Sequence, residues 1–250
     1  MAVFLGVGAL LLVGGAALLW FGLQSRRRAA AIARTRTWSC AELNQAVAAG
    51  AAPGLVEVNG SAREVGAPLV TPFGGGPAVW HRIEVTHHYW AWETDAAGHR
   101  HRRKKRRPVL NKESAALFAV QDDSSRVMVE PRGARFDQPT LVVDEFADDL
   151  RDDWRVELGP LRFGGGGDSI GYQRREWSIA PGQPIYVLGA ATDQAGMAVL
   201  RRPQRGELLI STRSESEVMA SAGWQGVWLL VAGGVVAAGG VAAVMAGLAA

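Results

Sequence analysis

The sequence predicts a membrane protein with two transmembrane helices flanking a mostly-β domain, a small barrel or sandwich, with short juxtamembrane helices. Three observations predict it. Residues 2–23 and 218–250 carry no charged side chain, so all 27 basic and 24 acidic residues lie between those ends. Within the middle region, short β-branched and aromatic runs alternate with Gly/Pro turns, the pattern of short strands in a barrel or sandwich. At 48% apolar and 20% charged, the chain is too apolar for disorder.

Residues 2–23 form the first expected span. Twenty-two helical residues reach roughly 33 Å, enough for a hydrocarbon core of about 30 Å. Trp20 and Phe21 sit where an aromatic belt belongs, and Arg26, Arg27 and Arg28 follow at once. No Lys or Arg precedes the apolar core, which favours an uncleaved anchor over a signal peptide. Residues 24–53 read as a basic juxtamembrane segment. Ser39 and Glu42 have the spacing of a capping box, which predicts a helix through Ala49 that stops at Gly50. Cys40, the only cysteine, rules out an intrachain disulfide and any zinc site built on several cysteines.

Residues 54–213 form the expected β domain. A strand over 55–58 leads to a turn at Asn59-Gly60, and 68–77 is a loop holding Gly74, Gly75 and Gly76. The run 79–93 is long and β-rich, with a turn at 95–98. Residues 117–121 and 127–129 form a hairpin around 122–125, and further strands fall at 141–143, 173–179, 185–188 and 208–210. Residues 214–223 hold a short helix opened by a second capping box, Ser214 with Glu217. Residues 224–248 are the second span, entered at Trp224 and Trp228. Gly239, Ala243 and Gly247 lie on one stripe of it. Such small-residue stripes let helices approach closely, here the first span or a second copy, though a bias toward Gly and Ala explains them equally well. The arginines after the first span place the middle domain on the cytoplasmic side, with both termini outside.

Seven permanent cations fall within residues 99–107: Arg100, Arg102, Arg103, Lys104, Lys105, Arg106 and Arg107. A run like this suits the phosphates of anionic lipids. The bland reading is a solvated hairpin arm paired with the seven carboxylates of 144–157. Nucleic acid is disfavoured, because no RNA-binding aromatic motif flanks the run. His81, His87, His88, His99 and His101 lack metal-ligand spacing, and the acidic stretch lacks a calcium-loop pattern. No serine has a G-x-S-x-G context, and the glycines at 164–167 are not followed by Lys-Ser/Thr. Cys40 lies near a helix start, where a thiol pKa can fall, but helix packing accounts for it more simply. No catalytic residue, cofactor or metal is expected.

Several stretches carry a family resemblance. Phe118-x-x-Gln121-Asp122 runs into Val127-Met128-Val129-x-Pro131-x-Gly133-Ala134. Glu176-x-x-Ile179-x-Pro181-Gly182-x-Pro184-Ile185-Tyr186-Val187-Leu188-Gly189 is the most specific piece. Gly60 followed by Pro68, Pro72 and Pro77, and Ile210-Ser211-Thr212, add to it. In this order they resemble the GIDE or MULAN family of membrane-bound E3 ubiquitin ligases, and its BAM domain, over residues 55–250. The resemblance implies ubiquitin-ligase-related function, and in the mitochondrial relatives a domain lying between the membranes, against the arginine argument. The ligases of that family carry a RING finger with eight Cys and His ligands; these 250 residues hold one Cys and five His, too few for two tetrahedral sites. The expected function is a non-enzymatic, membrane-anchored interaction or scaffold protein. The alternatives are a diverged ligase component and an anionic-lipid sensor working through the basic hairpin. The expected partners are membrane lipids, an unidentified protein, and a second copy through the last span.

Overall fold

The computed structural model describes residues 2–32, 36–51, 53–148, 168–213, 232–237, 239–241, 244 and 245. The chain divides into two compact units, Met1–Thr37 with Arg213–Ala250, and Trp38–Thr212.

The first unit holds helix α1, Ala2–Ile32, and helical turns at 232–237 and 239–241. The expected transmembrane helices are corrected here: among the described residues no helix is long and apolar enough to cross a membrane. The two-pass placement, with a cytoplasmic middle domain and both termini outside, falls with the same finding. Close approach in this unit is made at Gly15 and Gly233: a Cβ on Gly15 would lie 2.8 Å from the Ala237 nitrogen, and one on Gly233 would lie 3.0 Å from Leu19. A Cβ on Gly239 would meet nothing within 4 Å; Ala243 and Gly247 lie outside the described residues.

The second unit is mostly β and is built on a five-strand barrel. Strand β1, Leu55–Glu64, pairs with β6, Phe118–Gln121, which pairs with β7, Arg126–Val129. Strand β7 runs parallel to β12, Met197–Arg201. Strand β12 pairs with β11, Pro184–Gln194, and β11 returns to β1, closing the ring. Ser61 marks the corner, since it pairs with Pro184 on one side and Gln121 on the other. Gly60 is therefore not in the expected turn but inside β1. A Cβ there would collide with the Gln121 carbonyl, so the glycine is what lets the strand bend from one neighbour to the next. Strands β13, Leu209–Ser211, and β8, Arg135–Asp137, extend the sheet beyond β11.

Valines 56, 58, 120, 127, 129 and 187 are fully buried in the core cluster, together with Phe118, Leu200 and Ile210. Helix α2, Cys40–Ala48, lays Cys40, Leu43 and Val47 onto the same cluster. Its capping box forms: the Ser39 hydroxyl accepts from the Glu42 amide at 3.3 Å, and the Glu42 carboxylate accepts from the Ser39 amide at 3.2 Å. Gly50 follows the helix at φ 77°, a left-handed conformation suited to a stop. The turn between β6 and β7 pins the helix start. Asp122 accepts from the Cys40 amide at 2.7 Å, and Ser124 Oγ accepts from the Ala41 amide at 3.0 Å.

A second, four-stranded antiparallel sheet runs in the order β5-β4-β10-β9. Its strands are β4, Trp80–Thr94; β5, Arg100–Glu113; β9, Thr140–Ala147; and β10, Ser169–Ile179. The loop expected at 68–77 is a small hairpin of β2, Leu69–Val70, and β3, Pro77–Ala78. The expected helix over 214–223 and the glycine run 164–167 lie outside the described residues.

Candidate functional site

The basic run lies on a strand. All seven cations belong to β5, an edge of the second sheet, and each is exposed. The aromatic run of β4 enforces this order. Arg and Lys are indifferent strand formers, but Tyr89, Trp90 and Trp92 pair with Lys105, Lys104 and Arg102 in register. Directly paired residues share a face, and successive residues alternate faces. One face thus carries Trp90 and Trp92 with Arg100, Arg102, Lys104 and Arg106. The other carries Tyr89 and Glu93 with Arg103, Lys105 and Arg107.

On the tryptophan face the cations lie over rings. Arg102 sits 5.4 Å from the Trp90 centroid and 5.9 Å from that of Trp92; Lys104 sits 5.3 Å from Trp90, and Arg100 5.3 Å from Trp92. Asp168 meets Arg102 at 2.8 Å. On the opposite face Glu93 holds Lys105 at 2.6 Å and Arg103 at 3.3 Å. Hydrogen bonds from those two cations hold the Glu93 carboxyl below its usual range. Arg107 lies 5.8 Å from the Tyr89 ring. Among the described residues, no carboxylate pairs with Arg100, Lys104, Arg106 or Arg107. The arm tip projects past β10: the Trp90 amide donates to the Asp168 carbonyl at 2.7 Å, just beyond the last β10 pairing. Trp92 stands 54% exposed.

Two of the carboxylates expected to neutralise the run are engaged elsewhere. Asp144 meets Arg175 at 3.4 Å and Gln173 at 2.9 Å, while Glu145 meets Arg174 at 2.9 Å. The stretch from 149 onward lies outside the described residues.

Among the described residues, no group of three His, Cys, Asp or Glu is placed to hold an ion. His87 stacks on Tyr172 at 4.7 Å, with its Nε2 3.0 Å from the Ser169 hydroxyl. Burial, then Arg107 and His88, push its pKa down. Cys40 is fully buried. Burial, and the Asp122 charge beside it, push its thiol up to about 12, so the helix start does not activate it.

Two features escaped the sequence reading. Glu176 is fully buried on β10. Its Oε2 accepts from the amides of Phe73 at 3.1 Å and Gly74 at 2.7 Å, closing the 71–76 loop over it. The signal was the glycine triplet, which lets backbone approach a carboxylate closely. A groove of about 420 Å³ is lined by Trp80, Arg82, Glu84, Arg135, Arg175 and Trp177, among others. Its arginines are neutralised internally, Arg82 by Glu84 and Glu113, Arg135 by Glu207, and Arg175 by Asp144. It therefore offers less uncompensated charge than the arm.

A family model described as GIDE, E3 Ubiquitin ligase, matches residues 88–245. The match takes in most of the arm and the stretches from Phe118 onward that carry the resemblance, but not Gly60 or the prolines at 68, 72 and 77. No curated protein matches the chain, and no solved structure matches it.

Proposed function

The chain belongs to the GIDE family of E3 ubiquitin ligases, and within that family we propose that it serves as a non-enzymatic interaction module, holding a polyanionic partner on its β4–β5 arm. The arm carries this reading. Seven exposed cations are held at fixed spacing by a paired aromatic strand, and four of them have no carboxylate partner among the described residues. Such a surface attracts acidic partners and orients them. Transfer chemistry has little support within these 250 residues. One Cys and five His fall short of the eight Cys and His ligands of a RING finger. Carrying ubiquitin as a thioester needs an accessible thiolate, and Cys40 is a buried thiol.

The test has two arms. The full chain is passed over resin-bound polyglutamate, and it is added to a reconstituted ubiquitin-transfer mixture. The expected result is retention that falls with salt, because screening acts over about 8 Å at physiological ionic strength. Retention is lost when Arg102, Arg103, Lys104 and Lys105 all become Ser, and no ubiquitin conjugate depends on the chain. Failure to bind polyglutamate at low salt, or ubiquitin conjugates that depend on the chain, overturns the proposal.

A further inference from the structure

We infer that the outer edge of β5 receives an extended, carboxylate-rich peptide segment as an added strand; this rests on the interaction-module reading and narrows it to one partner chemistry. β5 lies at the end of its sheet and pairs only with β4 among the described residues. The N–H and C=O groups of its other edge therefore face outward over a strand whose residues 100–108 are all exposed. Open edges of this kind are templates for a further strand.

The cations decide what that strand can be. They occupy both faces, Arg102, Lys104 and Arg106 on one and Arg103, Lys105 and Arg107 on the other. A flat anionic surface laid on either face meets only that face's set. A strand approaching edge-on places its side chains beside both sets, because its own residues alternate across the same two faces. A second copy of β5 would set cation against cation, which disfavours edge-to-edge self-pairing. Pro108 bounds the site. It lacks an amide hydrogen, and the β4–β5 register shifts beside it, between Val85 and Thr86. The receptive edge thus runs through Arg100–Arg107, the span of a strand of about eight residues.

The probe is a labelled alternating Glu-Thr peptide of about eight residues, with a counterpart of equal charge methylated at every backbone nitrogen. Each is titrated against the full chain at low salt, beside phosphatidylserine vesicles and a thymidine oligonucleotide. The parent peptide is expected to bind at least about tenfold more tightly than the methylated one. The double variant Lys104→Glu with Arg106→Glu is expected to lose a similar factor while keeping the wild-type circular dichroism spectrum. Equal binding of the two peptides overturns edge pairing but leaves the cationic arm standing. Retention on polyglutamate without binding of the parent peptide does the same. Tighter binding of vesicles or oligonucleotide at matched charge overturns the assignment to a peptide. Loss of both polyglutamate and peptide binding takes down the parent reading as well.

Discussion

Removing the Asp122 carboxylate should release helix α2 from the barrel, and Cys40 should report it. The carboxylate accepts from the Cys40 amide at 2.7 Å, the Ser124 amide at 2.8 Å, the Ser124 hydroxyl at 2.7 Å and the Ser125 amide at 2.9 Å. Water can replace it in the exposed turn. At the half-buried Cys40 amide it cannot, and a hydrogen bond to a charged group contributes about 1.5–3 kcal/mol there. A negative charge at the first turn of a helix adds about 0.5–1 kcal/mol. Asp122→Ala should therefore favour opening of α2 by about 3 kcal/mol, which is roughly a hundredfold in the opening equilibrium.

Cys40 is the only thiol, it is fully buried, and it sits on the released helix. Its rate of reaction with a maleimide, at reagent levels where closing outruns labelling, should rise by that factor in Asp122→Ala. It should rise by about tenfold in Asp122→Asn, which keeps an acceptor and loses the charge. Acid adds a second check. Burial pulls the Asp122 pKa up, but hydrogen bonds from the Ser124 hydroxyl and the Cys40, Ser125 and Ser124 amides outweigh it and hold the group well below its ordinary 3.8. A depressed carboxylate contributes its full stability above its unfolded value and loses it progressively as pH falls through the lower folded one. The gap in urea-unfolding stability between wild type and Asp122→Asn should therefore begin to narrow below about pH 3.8 and go on narrowing as the pH falls further. A labelling increase under about threefold in Asp122→Ala, or a stability gap that does not narrow between about pH 5 and pH 2, would refute the reasoning.

Two further outcomes follow from buried contacts. Burial raises the Glu176 pKa despite the Gly74 and Phe73 amides, so its contribution is full below the ordinary value of 4.5 and declines as pH rises through the raised one; the wild-type urea midpoint should fall across that window, and Glu176→Gln should flatten the dependence. Gly60→Ala drives a methyl into the Gln121 carbonyl and should lower stability by about 2 kcal/mol in urea unfolding, with no change expected if β1 turned at Asn59-Gly60 instead.

Local signals were legible and long-range closure was not. Ser39 and Glu42 announce α2 because capping is satisfied within one turn of chain. The β4 run and the 95–98 turn are likewise local. The ring closes through the pairing of Val58 with Val187 and a parallel contact between β7 and β12, partners too distant in sequence to be read from periodicity. Asn59-Gly60 misled for the same reason: the glycine answers to Gln121, not to a turn. The uncharged ends suggest spans through their apolar length, their belt aromatics and the flanking arginines, yet among the described residues no helix is long and apolar enough to cross a membrane. At the candidate site the charge of residues 100–107 is legible in the sequence but its presentation is not, because alternation between faces depends on pairing with β4.

That pairing also explains how like charges coexist on one strand. Cations two residues apart on the tryptophan face lie about 6.8 Å from each other, and in water each such contact costs about 0.6 kcal/mol. Arg100, Arg102, Lys104 and Arg106 make three such contacts. Four cation–ring contacts on Trp90 and Trp92 oppose them, each contributing about 0.5–1 kcal/mol at an exposed site. The rings thus offset the repulsion without consuming the charge. Carboxylates in place of Trp90 and Trp92 would also have opposed the repulsion, but by cancelling charge on that face. An arm braced by quadrupoles keeps its field for whatever approaches, and the open β5 edge sets the direction from which an approaching strand reaches both faces.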